Sequence, residues 1–213
     1  MTNKVSRREV LGETDSLLEF LQSRSTTRSY LPKEIESERL ERILEAARFA
    51  PSAHNRQPWR FAVLTDNAKK QTLAQAMGER LRNDRLADGD DPALIDEDVL
   101  RSSKRIVSAP VVITCCMTLE DMDVYPDKTR RQAEHWMAVQ SAAMAAHNIM
   151  LAAHAEGLGA CWMCAPLFCP DSITERLNLP EQWIPQALLT LGWADKPPKK
   201  RERLALEKVV RFL

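Results

Sequence analysis

The amino-acid sequence predicts a layered domain of the α+β or α/β class. Three observations carry the prediction. Apolar, β-rich runs lie near residues 61, 111, 160 and 188. Amphipathic helical patterns stand between them. The chain of 213 residues has no internal repeat or low-complexity block and is long enough to bury a core.

Taken in order, residues 1–14 read as a polar tail and 15–213 as one domain. Thr14-Asp15 offers a helix start ahead of Leu17, Leu18 and Leu21. Clustered hydroxyls from Ser23 to Tyr30, followed by Pro32, favour a loop or extended segment. Glu34 to Phe49 is helical, with Ile35, Leu40, Ile43, Leu44 and Ala47 on one side. Ala50-Pro51-Ser52-Ala53-His54-Asn55-Arg56-Gln57-Pro58-Trp59 then forms a loop, because neither proline continues a helix. A strand over Arg60 to Thr65 and a helix from Asn67 to about Arg85 follow. Residues 86–105 turn acidic and irregular, then helix-like, and read as an exposed excursion, a lid or a dimer-wrapping arm. Ala109 to Cys116 is a buried strand, and Lys128 to Ala155 a long helix whose alanines imply close packing all round. Gly157-Leu158-Gly159 caps that helix. Strands over Ala160 to Cys164 and Ala187 to Trp193 flank a short helix, Asp171 to Leu177. Residues 194–213 read as a C-terminal arm, extended and basic at Lys199 to Arg203 and apolar at the end.

Composition excludes several classes of function. Lysine plus arginine and aspartate plus glutamate both total 30, so no global field draws nucleic acid or an anionic membrane. The apolar stretch from Met137 to Ala155 is interrupted by Gln140, His147, Asn148 and His154, which argues against a membrane span. Met1 to Glu13 lacks the apolar centre of a secretory signal, and five cysteines without framework spacing point to the cytoplasm. The three histidines of the long-helix region have no ligand spacing, so no metal site is predicted. Cys161 and Cys164 fall in an expected strand and read as buried structural residues, as do Cys115, Cys116 and Cys169. Neither a phosphate-binding glycine loop nor a serine-hydrolase elbow is present. What stands out is local: Arg24 and Arg28 flank hydroxyls, and Arg201 and Arg203 lie close together. Arginine forks with hydroxyl donors suit a phosphate monoester.

Four motifs in order resemble the nitroreductase family of flavin mononucleotide (FMN) enzymes. They are Arg24-Ser25-Thr26-Thr27-Arg28-Ser29-Tyr30, Pro51 to Trp59, Gly157-Leu158-Gly159-Ala160-Cys161-Trp162, and Gly192 with Arg201-Glu202-Arg203. The resemblance implies an α+β, three-layer α/β/α sandwich around a mainly antiparallel sheet, working as an intertwined homodimer with FMN at the subunit interfaces. By position, Arg24, Ser25, Thr26, Arg201 and Arg203 would hold the phosphate, and Arg28 would lie against N1 and O2 of the ring. Pro51, Ser52, Ala53, His54 and Asn55 would reach the partner's flavin. Met163, Cys164 and Ala165 would meet the ring edge near N5, and Gln140 would lie on the interface helix. The implied reaction passes hydride from NADH or NADPH through FMN to a small nitroaromatic, quinone or enone acceptor in a ping-pong cycle. No protein group acts as nucleophile or acid, and Arg28 gives electrostatic support. Ser25 stands where a basic residue or histidine is frequent, and Cys164 where an acid is frequent.

A closer likeness links Tyr125 to Arg131, Cys161 to Phe168 and Leu177 to Trp183 with the flavin domain fused to the glutamyl ligase of deazaflavin-coenzyme biosynthesis. It implies an alternative role, reduction of a dehydro-deazaflavin precursor or binding of a deazaflavin.

Overall fold

The computed structural model describes residues 14–199 and 201–213; the expected polar tail, except Thr14, lies outside them. Helix α1 (Thr14–Ser23) leads to the hydroxyl-rich strip, then α2 (Ser37–Ala47), β1 (Trp59–Leu64), α3 (Asn67–Ala87) and α4 (Pro92–Ser108). The chain continues through β2 (Val111–Met117), α5 (Lys128–Ala155), β3 (Gly159–Met163), α6 (Pro170–Leu177) and β4 (Ile184–Gly192). The strands form one sheet in the order β1-β2-β4-β3, with every neighbouring pair antiparallel.

Alternation along the strands builds two cores, and hence three layers. Val111, Ile113, Cys115 and Met117 of β2 join Leu189 and Leu191 against α2 and the alanine-rich α5. Val112, Leu188, Cys161 and Met163 pack on the opposite face against α3, α4 and α6. The period of two along a strand divides these side chains between the layers. The fold is therefore an α+β, three-layer sandwich. Among the described residues no helix is long and apolar enough to cross a membrane.

Helix ends follow local chemistry. Asp66 and Asp127 accept backbone N–H bonds from Lys69 and Arg130, capping α3 and α5. Gly157 at φ 76° closes α5, with Gly157 N donating to His154 O and Leu158 N to Ala153 O.

Several sequence expectations are corrected. The stretch 86–105 is helical on both sides of a short turn, since α3 runs to Ala87 and α4 begins at Pro92. Most of it is exposed, while Ile95 and, just beyond it, Ile106 are completely buried. Asp91-Pro92, which looks like a breaker, is an N-cap followed by proline in the first turn. Arg85 bridges Asp90 at 2.6 Å and Asp98 at 2.5 Å, and so pins the turn between the helices. Helix α2 is shorter at both ends than the apolar pattern suggests. Strand β4 starts earlier, at Ile184, because Pro185 sits at a bulge: Cys115 pairs with Ala187 and Cys116 with Pro185. Strand β3 ends at Met163, leaving Cys164 outside it and exposed, whereas Cys161 is buried. Cys115, Cys116 and Cys169 are buried as expected, and burial pushes the Cys116 thiol up to about 12.

Candidate functional site

The hydroxyl-rich strip is fixed by the edge of the sheet. Thr27 N donates to Ala160 O at 3.0 Å, and Leu31 N to Trp193 O at 2.9 Å. Between these bonds the buried Tyr30 hydroxyl lies 2.7 Å from Thr27 O and 2.7 Å from Thr190 Oγ1. Burial is the main cause that pushes this phenol above its ordinary range, so it serves as a neutral anchor. Ser29 Oγ donates to Asp195 Oδ2 at 3.0 Å, which draws the start of the C-terminal arm to the strip. The close approach requires Gly159: a Cβ there would stand 2.4 Å from Thr27 Cβ.

Strip and arm enclose a cavity of about 370 Å³ lined by Ser25, Thr26, Arg28, Arg201 and Arg203, with Lys196 and Lys199 also on its wall. Five of the expected cofactor residues thus meet in one place. Arg28, Lys196, Lys199, Arg201 and Arg203 form no ion pair among the described residues, so the cavity carries uncompensated positive charge. Arg24, beside Ser25 in sequence, has its Nη1 buried without a hydrogen-bond partner. A buried, unpaired guanidinium nitrogen is costly, and an anion seated there would satisfy it. The residues present fit a phosphate group.

The loop from Pro51 to Pro58 is a separate element. His54, Asn55 and Gln57 are all left-handed, at φ 49°, 55° and 51°. Such backbone is uncommon outside glycine and asparagine and must be held. Ser52 Oγ accepts from Gln57 N at 3.1 Å, Asn55 N donates to Ser52 O at 3.1 Å, and Ala53 N donates to Ser141 Oγ of α5 at 3.2 Å. The result is a stiff tip with Pro51, His54 and Asn55 exposed and Ser52 and Ala53 half-buried. Among the described residues no hydrogen bond joins this tip to the Arg24–Arg28 strip of the same chain.

The remaining expected residues lie elsewhere. Cys164 borders a second, largely apolar cavity of about 430 Å³ together with Trp136, Trp162, Leu167 and Gln186. The Trp162 indole donates to its Sγ at 3.2 Å. Ala165 is half-buried beside it, and Gln140 is exposed on α5. The Met163 side chain is buried in the core beneath α3, so only its backbone is available to a ligand. Lys196, Lys199, Trp136 and Gln186 were not anticipated. Clustered lysines beside Arg201 were visible in the sequence, whereas Gln186 is aimed by a bulge that has no sequence signature.

The chain thus carries a cationic, hydroxyl-lined cavity and, separately, a largely apolar cavity walled by Trp136 and Trp162. The nitroreductase family profile matches residues 21–193. An NADH dehydrogenase of Thermus thermophilus is 30% identical over 212 residues, covering 88% of this chain and 91% of that protein. A 5,6-dimethylbenzimidazole synthase of Rhodospirillum rubrum is 28% identical, covering 89% and 88% of the two chains. Among solved structures, an FMN-dependent nitroreductase of Clostridium difficile superposes with a TM-score of 0.65 at 24% identity, covering 92% of this chain and 98% of that one. The chain belongs to the nitroreductase family and is an oxidoreductase of that family.

Proposed function

We propose that the protein is an FMN-dependent NAD(P)H oxidoreductase that completes its site as a homodimer. The observation that carries this reading is the buried, unpartnered Nη1 of Arg24 behind a cavity rich in hydroxyls and free cations. When bound, FMN would supply hydride exchange between NADH or NADPH and a small acceptor, in the two half-reactions of a ping-pong cycle. Arg24, Ser25, Thr26, Arg201 and Arg203 hold the phosphate through charge-assisted and hydroxyl hydrogen bonds. The permanently charged Arg28 would offset negative charge on the reduced ring. Cys164 and Ala165, just beyond the end of β3, would border the reacting edge of the bound ring. The Trp136 and Trp162 wall favours a planar aromatic acceptor.

Dimerisation is supported by surfaces that one chain leaves bare. Leu17 and Leu18 of α1, Trp136 and Met144 of α5, and Leu204 and Phe212 of the arm are all exposed. The loop tip at Ser52 to Asn55 then serves the neighbouring subunit's cofactor, and the 194–213 arm lies across that neighbour.

The test is binding of FMN and of riboflavin, which lacks the phosphate, to wild type and to Arg24→Met. Wild type is expected to be yellow, to release FMN on heating and to be bleached by NADH or NADPH. The substitution removes charge-assisted bonds of about 1.5–3 kcal/mol, so FMN affinity falls roughly 10- to 150-fold while riboflavin affinity is unchanged. A wild-type protein that takes up no FMN overturns the reading.

A further inference from the structure

We propose that His154 belongs to the phosphate cradle, and that its protonation and the binding of a phosphate dianion reinforce each other. This inference rests on the reading of the cavity as a cofactor phosphate site.

His154 lies in the last turn of α5, 131 residues from Ser23, yet its Nε2 is 2.7 Å from Ser23 Oγ at the end of α1. That hydroxyl also donates to Phe20 O at 2.8 Å. A hydroxyl has one hydrogen, so Nε2 is the donor to Ser23 and the second proton of an imidazolium goes to Nδ1. The Phe20 ring packs against the imidazole with centroids 5.0 Å apart. Ser23 is followed directly by Arg24, and Ser25 Oγ turns back to Ser23 O at 3.5 Å. The imidazole is therefore tied to the residue that precedes the cradle.

The groups facing His154 are few. Helix α1 offers the neutral Phe20 and Ser23, and the strip offers the Arg24 guanidinium. Glu156, two residues further along, is turned away to α2, where Arg42 Nε holds it at 2.7 Å and Arg39 Nη1 at 3.2 Å. Among the described residues no carboxylate forms an ion pair with Arg24 or His154. Burial, and secondly the charge of Arg24, hold the imidazole below the ordinary histidine range. A phosphate dianion bound at Arg24 removes that repulsion and supplies an attraction, so His154 gains a proton as the ligand binds. The sign follows. Because the bound state has the higher pKa, the added affinity is present at low pH and is lost as pH rises through the bound-state value.

The phosphate's own second pKa near 6 works in the opposite direction, so comparison with a variant isolates the histidine. FMN and riboflavin dissociation constants are measured by fluorescence quenching for wild type and His154→Gln, from about pH 5.5 to about pH 8.5. Glutamine retains an N–H for Ser23 but cannot become a cation. The advantage of wild type for FMN is expected to grow to about tenfold at the acid end and to vanish at the alkaline end, as a one-unit pKa shift requires. For riboflavin the wild-type-to-variant ratio is expected to stay flat. The imidazole titration followed by NMR, with His154→Gln giving the assignment, is expected to move upward on FMN binding. A pH-independent ratio for FMN, the result of a purely structural role, overturns the inference. So does a pH-dependent ratio for riboflavin or an unmoved titration. Wild type that binds no FMN overturns this inference together with the functional reading, whereas FMN binding with a flat ratio overturns this inference alone.

Discussion

The strip from Arg24 to Tyr30 and the loop from Pro51 to Pro58 both carry residues proposed for the cofactor site, but they are held in opposite ways. The strip is seated by long-range bonds: Thr27 to Ala160, Leu31 to Trp193 and the Tyr30 hydroxyl to Thr190. Each side chain of the strip inherits the rigidity of the sheet beneath it. The loop is held largely by its own backbone, through Ser52, Asn55 and Gln57, with a bond from Ala53 to Ser141 of α5. It keeps three non-glycine residues in left-handed backbone while aiming its tip at solvent. The strip lines a cavity of its own chain, whereas the loop presents a stiff tip to solvent. Preformed strain at an exposed tip is consistent with a contact that forms only on assembly.

The contrast can be broken most severely at Gly159. Gly159→Ala places a methyl 2.4 Å from Thr27 Cβ, which forces the strip off β3. The expected cost is about 1–3 kcal/mol in denaturant unfolding, together with a loss of FMN affinity. Wild-type stability and affinity in this variant would show that the strip is seated by something else. The loop should respond to backbone preference instead. Gln57→Val, a branched residue at φ 51°, is expected to cost about 1–2 kcal/mol, and Gln57→Gly almost nothing. Equal stability of the two variants would mean that the left-handed backbone is not maintained in solution. The smallest effect concerns the ion pair between Arg42 of α2 and Glu156 at the end of α5. The Arg42 hydrogen bond is the first cause that holds the Glu156 carboxyl below its usual value of 4.5. A depressed folded-state pKa gives stability that is present above the unfolded value and lost as pH falls through the folded one. Arg42→Ala should therefore flatten the decline of stability below about pH 4.5, read from thermal midpoints.

Strand positions were legible because four apolar runs each cover one strand, and the helices were legible from their spacing. The strip and loop were legible as motifs because their residue types are dictated by local chemistry: hydroxyls and arginines for an anion, and prolines with small polar residues for a fixed turn. What escaped was set by tertiary contact. The stretch 86–105 reads as an exposed excursion because Asp88 to Pro92 looks like a break before the helix-like part, yet Ile95 and Ile106 of α4 are fully buried. Cys164 was placed in a strand that ends one residue earlier, so its exposure was missed. Pro185 hid the start of β4, since a proline is tolerated there only at a bulge. His154 could not be joined to Ser23 by any local pattern, because the two are 131 residues apart and meet only when α5 returns to α1.

The pairing of Thr26 and Thr27 with Ala160 has a consequence for solubility. Strand β3 is the last in the sheet, and its outer side would otherwise offer unpaired N–H and C=O groups to any passing chain. The segment that shapes the anion cavity is also the cover of that edge. Damage to the cavity that lifts the strip should thus register twice, as a colourless protein and as one that self-associates through β3.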